Sequence, residues 1–159
     1  MSTAHVVTIS DGAFHGQRED KSGPLLVSLL SRAGFEVGGP EVVPDEAERI
    51  YEAVTTAVAR GVDLVVATGG TGLGPRDVTP QAMSTILDYE VPGIGETMRR
   101  AGASTTPMAA LSRSLAGVRE RTLIISVPGS PKGASESLEA VMPMVGHAIQ
   151  LLHGATSHR

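Results

Sequence analysis

The sequence predicts an α/β fold in which a mainly parallel sheet is covered by helices on both faces. Three observations carry this. The segment "GVDLVVAT", residues 61–68, ends in a near-continuous apolar run, as a strand buried on both faces requires. Short β-branched runs alternate along the chain with segments of helical periodicity. The junctions between them are short and rich in glycine, proline and small polar residues, which turn backbone and start helices.

Taken in order, His5 to Ser10 ("HVVTIS") reads as a buried strand that turns polar at Ser10-Asp11-Gly12. After the polar stretch "AFHGQREDK", Ser22 stands where a helix cap belongs and Pro24 falls in the first turn. Leu25, Leu26, Leu29, Leu30 and Ala33 then repeat at helical spacing before Gly34. Glu36 to Val43 forms a second strand, and a helix from Asp45 to Arg60 carries Ile50, Val54, Ala57 and Val58 on one face. The strand at 61–68 follows and feeds the glycine-rich loop "TGGTGLGPRD". Thr79-Pro80 supplies a cap and a first-turn proline for the next helix, and a further helix spans Gly95 to Gly102 after "VPGIG". The last unit, "RTLIISVPGSPKGASESLEAVMPMV", is strand, glycine-proline loop and helix. Its apolar stripe is Leu138, Val141, Met142, Val145, Ile149 and Leu152, with a kink expected at Pro143. A single domain over residues 1–159 is expected. In such sheets ligands bind beyond the C-terminal strand ends, so the loops at Ser10-Asp11, Thr68 to Asp77 and Pro128 to Lys132 share the candidate edge.

Composition narrows the chemistry. The 159 residues are 41% hydrophobic and 19% charged, ordinary values for a folded globular chain. The net charge of −4, with scattered basic residues, lacks the electrostatic footprint of a nucleic-acid binder. No cysteine is present, which removes disulfides, thiolate metal sites and cysteine nucleophiles and fits a cytoplasmic location. The N-terminus lacks the pattern of an export signal, and no apolar run is long enough to span a membrane. Aromatic residues make up 3%, so a ring-bearing ligand must rely on aliphatic walls and backbone hydrogen bonds. The five histidines, His5, His15, His147, His153 and His158, show no ligand spacing, which argues against zinc.

The glycine loop is the strongest single signal. Its glycines can take positive φ and aim successive backbone N–H groups at one anion, so Thr68, Gly69, Gly70, Thr71, Gly72 and Gly74 are candidate phosphate-binding residues. The loop is neither of the common phosphate motifs. No Gly-Lys-Ser/Thr follows, and in a dinucleotide fingerprint the third glycine would fall on Pro75 or Asp77.

Asp77 is then informative, because a carboxylate beside bound phosphate needs an intervening cation, and Mg²⁺ takes oxygens from one or two carboxylates plus phosphates. The alternative is that Asp77 hydrogen-bonds the turn or caps the helix at Thr79. Asp45 forms with Glu48 the spacing of a capping box, yet it also follows a strand and can face the ligand edge. Lys132 either holds a phosphate or substrate carbonyl as a point charge or is an ordinary solvated lysine. Ser112 and Arg113, in "LSRS", either bind anions or form a polar turn.

Together, "TISDG" with "DKSGPLL", "VPDE", "TGGTGLGPRDVTPQA", "VPGIGETMR", "LSRSLAGV" and "SVPGSPKG" resemble the MogA/MoaB family of molybdenum cofactor biosynthesis, which includes gephyrin G domains. The matching pieces span nearly the whole chain in family order. This resemblance implies a three-layer molybdopterin-binding fold, usually a homotrimer, that adenylylates molybdopterin with ATP and Mg²⁺, releasing pyrophosphate. It implies that Asp77, in "RDVTP", and Asp45, in "PDE", are the functional aspartates and candidate Mg²⁺ ligands. The glycine loop would cradle phosphate, and Ser10, Asp11, Ser112, Arg113, Ser130 and Lys132 would contribute to substrate binding. The product would pass to a molybdenum-inserting MoeA-type protein. Some MoaB-type paralogues keep the fold and bind pterin without clear activity, so a carrier or trimeric scaffold is the competing class. A nucleotide-cleaving enzyme related to CinA-type proteins is a third.

Overall fold

The computed structural model describes residues 1–154, so His158 lies outside the described residues. Six strands form one sheet: β1 (Thr3–Ile9), β2 (Glu36–Val43), β3 (Leu64–Thr68), β4 (Tyr89–Glu90), β5 (Ala116–Arg119) and β6 (Thr122–Val127). Their spatial order is β2-β1-β3-β6-β5-β4. The first four in that order are parallel, with Ala4 beside Leu64 and Leu64 beside Leu123, while β5 and β4 pair antiparallel at one edge. The helices are α1 (Asp11–Phe14), α2 (Ser22–Arg32), α3 (Ala47–Ala59), α4 (Thr79–Ile86), α5 (Pro92–Ala103) and α6 (Pro131–Leu152), with a 3₁₀ turn at Pro107–Leu111.

Period-2 alternation of the central strands divides the core into two. Val6, Leu64, Val66, Leu123 and Ile125 face Leu26 and Leu30 of α2, Met98 of α5 and Leu138 and Val141 of α6. Val7, Ile9, Val65, Ala67 and Ile124 face Ile50, Val54 and Ala57 of α3 and Met83 and Ile86 of α4. The result is the expected three-layer α/β architecture. Because α2 returns the chain to β2 across one face and α3 crosses to β3 on the other, strand order reverses between β1 and β3. That switch point opens a crevice at the C-terminal strand ends.

Several details differ from expectation. The helix expected from Asp45 starts at Ala47, and the capping box with Glu48 is not made: Glu46 is the N-cap and has no side-chain cap bond. Asp45 is engaged elsewhere, as described below. Thr79 does not cap α4 either, because its hydroxyl donates to the Gly69 carbonyl at 2.9 Å and ties the helix start to the loop. Ser22 lies inside the first turn of α2, where the Gly23 N–H is instead taken by Asp20 Oδ1 at 2.9 Å. Pro143 sits within the continuous α6. The helix after "VPGIG" begins at Pro92, and Ala33 is an exposed cap residue rather than core. The short α1, the antiparallel edge strands and the 3₁₀ turn were not anticipated; each has few residues and little periodicity.

Gly69 shows why glycine ends β3. Its φ is +109°, and a Cβ there would collide with the Ile9 carbonyl of the neighbouring strand. Gly69→Ala is therefore expected to cost about 2 kcal/mol or more, through strain and collision together. Urea unfolding would check this, with Gly146→Ala, where nothing lies within 4 Å of the added methyl, as the reference substitution.

Candidate functional site

Two lobes of one cleft lie beyond the strand ends, meeting at Thr71, Gly72, Gly129 and Ser130. The polar lobe, about 700 Å³, sits over the β1/β3 switch point and includes Ser10, Arg18, Lys21, Asp45, Thr68 to Gly72 and Asp77 in its walls. The other lobe, about 820 Å³, is mostly apolar, with Leu73, Met98, Met108 and Leu111 beside Arg99 and Lys132.

The glycines of the loop serve two separate purposes. Only Gly69 and Gly70 adopt positive φ, +109° and +67°. Gly72 and Gly74 are instead needed for room: a Cβ at either would stand 2.9 Å from Asp77 Oδ2. The loop carbonyls are taken up by a set of donors. Arg113 gives Nε and Nη2 to the Gly72 carbonyl at 3.0 and 2.8 Å, Nη2 to the Asp77 carbonyl at 2.8 Å, and its own N–H to the Thr71 carbonyl at 2.8 Å. The Thr79 N–H takes the Gly70 carbonyl at 3.1 Å. Among the described residues the N–H groups of Gly70, Thr71 and Gly72 have no protein acceptor, so they remain available to an anion.

The carboxylates are held just as closely. Asp77 Oδ2 accepts the Gly74 N–H at 2.8 Å, so Asp77 hydrogen-bonds its own turn while lining the polar lobe. Asp45 and Asp11 clasp each other: Asp45 Oδ2 accepts the Asp11 N–H and Asp11 Oδ1 accepts the Asp45 N–H, both at 2.9 Å. Arg76, from the glycine loop, then grips the Asp11 carboxylate through Nε at 2.9 Å and Nη2 at 3.0 Å. The Arg76 bond and the Asp45 N–H hold the Asp11 carboxyl below its ordinary range. Burial, reinforced by the Asp11 and Asp77 charges, pushes the Asp45 carboxyl above its ordinary range.

The remaining candidates fall around this centre. Ser10 caps α1 by accepting the Ala13 N–H at 3.1 Å, and Ser130 caps α6 by accepting the Gly133 N–H at 3.1 Å. Thr68 is fully buried and donates to the Pro128 carbonyl at 2.7 Å, joining the two loops. Ser112 pairs with Ser114 at 3.0 Å in the wall of the apolar lobe, where Lys132 also lies. The structure thus gathers Ser10, Asp45, Thr68 to Gly72, Asp77 and Ser130 in one lobe and places Ser112 and Lys132 in the other, with Thr71, Gly72 and Ser130 shared; Gly74, expected among the phosphate-binding residues, lines neither, because its N–H is spent on Asp77. Asp11 and Arg113 line neither and act by bracing their neighbours.

Sequence reasoning missed Arg76, Asp20 and Arg99. Asp20 holds both Thr8 Oγ1, at 2.8 Å, and the Gly23 N–H, and Arg99 Nη1 donates to the Ser114 carbonyl at 2.6 Å. The partners that tie them to distant elements lie 12, 65 and 15 positions away for Asp20–Thr8, Arg76–Asp11 and Arg99–Ser114, whereas the Asp20 bond to Gly23, three positions on, has the local spacing of a helix cap and could have been read from the sequence.

A raised carboxyl pKa means that ionised Asp45 weakens the fold: its stabilising contribution is full below pH 3.8 and is lost as pH rises through the higher folded value. Asp45→Asn keeps the acceptor for the Asp11 N–H and removes the charge. The variant is expected to be more stable than the parent at pH 7, with the difference shrinking as pH falls through the folded-state value, in denaturant unfolding across that range.

Comparison with known proteins follows the same line. Residues 5–147 match the family model "Probable molybdopterin binding domain". The chain is 41% identical over 96% of its length to a molybdenum cofactor biosynthesis bifunctional protein of Synechococcus elongatus, of which it spans 48%. It is 39% identical over 97% of its length to a molybdopterin adenylyltransferase of Helicobacter pylori strain J99, covering 90% of that protein. The crystal structure of MoaB from Thermus thermophilus matches with a TM-score of 0.89 and 50% identity, over 97% of this chain and 98% of that one. A sheet with its cleft at the strand switch, matched by family model, sequence and structure alike, places this chain in the molybdopterin-binding MogA/MoaB family of molybdenum cofactor biosynthesis.

Proposed function

We propose that the chain is a molybdopterin adenylyltransferase: the phosphate oxygen of molybdopterin attacks the α-phosphorus of ATP, the bond from that phosphorus to the bridging oxygen breaks, and pyrophosphate leaves with the electron pair. The observation that carries this reading is the meeting, in one lobe, of three unused loop N–H groups with the carboxylates of Asp45 and Asp77. The N–H groups suit phosphate, and carboxylates beside phosphate suit a metal-bridged nucleotide.

The donor set fits Mg²⁺. Asp45 and Asp77 each commit one carboxylate oxygen to a backbone N–H and leave the other without a protein partner among the described residues. Among those residues no cluster of three acidic or histidine side chains forms a self-sufficient metal cage. That suits an ion which completes its shell with water and substrate phosphates. Bound there, Mg²⁺ would neutralise phosphate charge. The chain's own residues do the rest. Gly70 to Gly72 orient an α-phosphate through backbone N–H groups, Thr79 and the Arg113 N–H keep those groups aimed by holding the carbonyls of Gly69, Gly70 and Thr71, and the apolar lobe excludes water from a bound ring. Such a transfer needs positioning and electrostatics more than covalent chemistry from the protein. The family resemblance further supports a homotrimer that passes its product to a molybdenum-inserting MoeA-type protein.

A second reading, a MoaB-type molybdopterin carrier without transferase activity, is favoured by the 50% identity to the Thermus MoaB against 39% to the Helicobacter adenylyltransferase.

Asp77→Asn separates the two. Asparagine keeps an acceptor for the Gly74 N–H and loses the charge, so molybdopterin affinity is expected to persist while transfer falls by about 100-fold or more. Formation of adenylyl-molybdopterin and pyrophosphate from molybdopterin, ATP and Mg²⁺ is the measurement. Tight pterin binding with no product from the parent chain would establish the carrier instead.

A further inference from the structure

Two cations in the polar lobe have no part in the scheme above. Arg18 and Lys21, on the α1–α2 connection, both line that lobe. The ion pairs among the described residues join His5 to Glu41, Arg76 to Asp11 and His153 to Asp63, so neither Arg18 nor Lys21 is neutralised by one. Of the adjacent acids, Asp20 has committed its oxygens to Thr8 and Gly23, and Glu19 lines the same wall. The exposed Arg18 side chain runs back along α1. A Cβ added at Gly12 would meet its Cβ at 3.3 Å, Nε at 3.5 Å and Cζ at 3.8 Å, so the guanidinium end packs beside α1. The Arg18 N–H donates to the Gly12 carbonyl at 3.1 Å and holds that arrangement.

We infer that Arg18 and Lys21 form the subsite for the terminal phosphates of a nucleoside triphosphate, and for pyrophosphate once the transfer is complete. The inference rests on the transferase reading and deepens it. The acids that would share a metal with the nucleotide follow β2 and β3, whereas these two cations precede α2 in the same lobe. In-line displacement separates the attacking oxygen from the leaving oxygen across the phosphorus. With the α-phosphate on the loop at Thr71 and Gly72, where the lobes meet, the polar lobe provides the exit for a tetra-anionic leaving group. Lys132 is on the other side of that junction, in the apolar lobe. Because the polar lobe also carries Glu19, Asp20, Asp45 and Asp77 against Arg18 and Lys21, pyrophosphate binds there as its Mg²⁺ complex.

The test is calorimetric titration of the full chain with Mg²⁺-pyrophosphate and, separately, with AMP, for the parent, Arg18→Ala, Lys21→Ala, the double variant and Lys132→Ala. Both cations are exposed, so the variants should fold, and circular dichroism checks this. Pyrophosphate affinity is expected to fall about tenfold for each of Arg18 and Lys21, the scale of one charge-assisted hydrogen bond, with AMP affinity and the Lys132→Ala titration little changed. Parent chain that binds no Mg²⁺-pyrophosphate, a double variant that binds it undiminished, or equal losses for AMP would each overturn the assignment. Its fate is separable from that of the transferase reading: pyrophosphate held by Arg18 and Lys21 in a chain that forms no adenylyl-molybdopterin would uphold the subsite and remove the reaction.

Discussion

A loop rich in glycine has no shape of its own, and this one takes its shape from hydrogen bonds given to its carbonyls by Thr79 and Arg113. The carbonyls of Gly69 and Gly70 are held by the Thr79 hydroxyl and N–H, that of Thr71 by the Arg113 N–H, and those of Gly72 and Asp77 by the Arg113 guanidinium, so the N–H groups of Gly70, Thr71 and Gly72, opposite the first three, are left free. The entropy that four glycines lose on ordering is large, and it is offset here by several hydrogen bonds from one rigid, forked donor. Gly69, pressed against the Ile9 carbonyl, anchors the other end. A residue read as a possible anion ligand is thus the loop's clamp.

The carboxylates follow a different logic. Asp45 is desolvated, lies near two further negative charges and binds protons more readily than a free aspartate, a local cost to the fold. The Asp11 clasp and the Arg76 grip hold the arrangement without abolishing that cost, because Arg76 pairs with Asp11 and not with Asp45 itself.

The cleft has two unlike halves. It offers an apolar wall and a polar one joined at Thr71, Gly72, Gly129 and Ser130. The junction is tight: a Cβ at Gly129 would come within 3.2 Å of the Gly69 Cα.

Much of this was legible along the chain. Apolar runs and helical stripes are local signals, so the strand, loop and helix order, the three-layer class and the edge bearing the ligand loops followed from residues in sequence. The glycine loop and its aspartate stood out because their chemistry is concentrated in a few adjacent positions. What sequence left open were pairings across distance. Asp45 had the spacing of a capping box, yet its oxygen goes to the Asp11 N–H, and Arg113 reaches back 41 positions to Gly72. Thr79 had the look of a cap and instead bonds Gly69. A polar side chain has several acceptors or donors within its chemical repertoire, and only packing, by bringing one of them within about 3 Å and excluding water from the others, selects the partner.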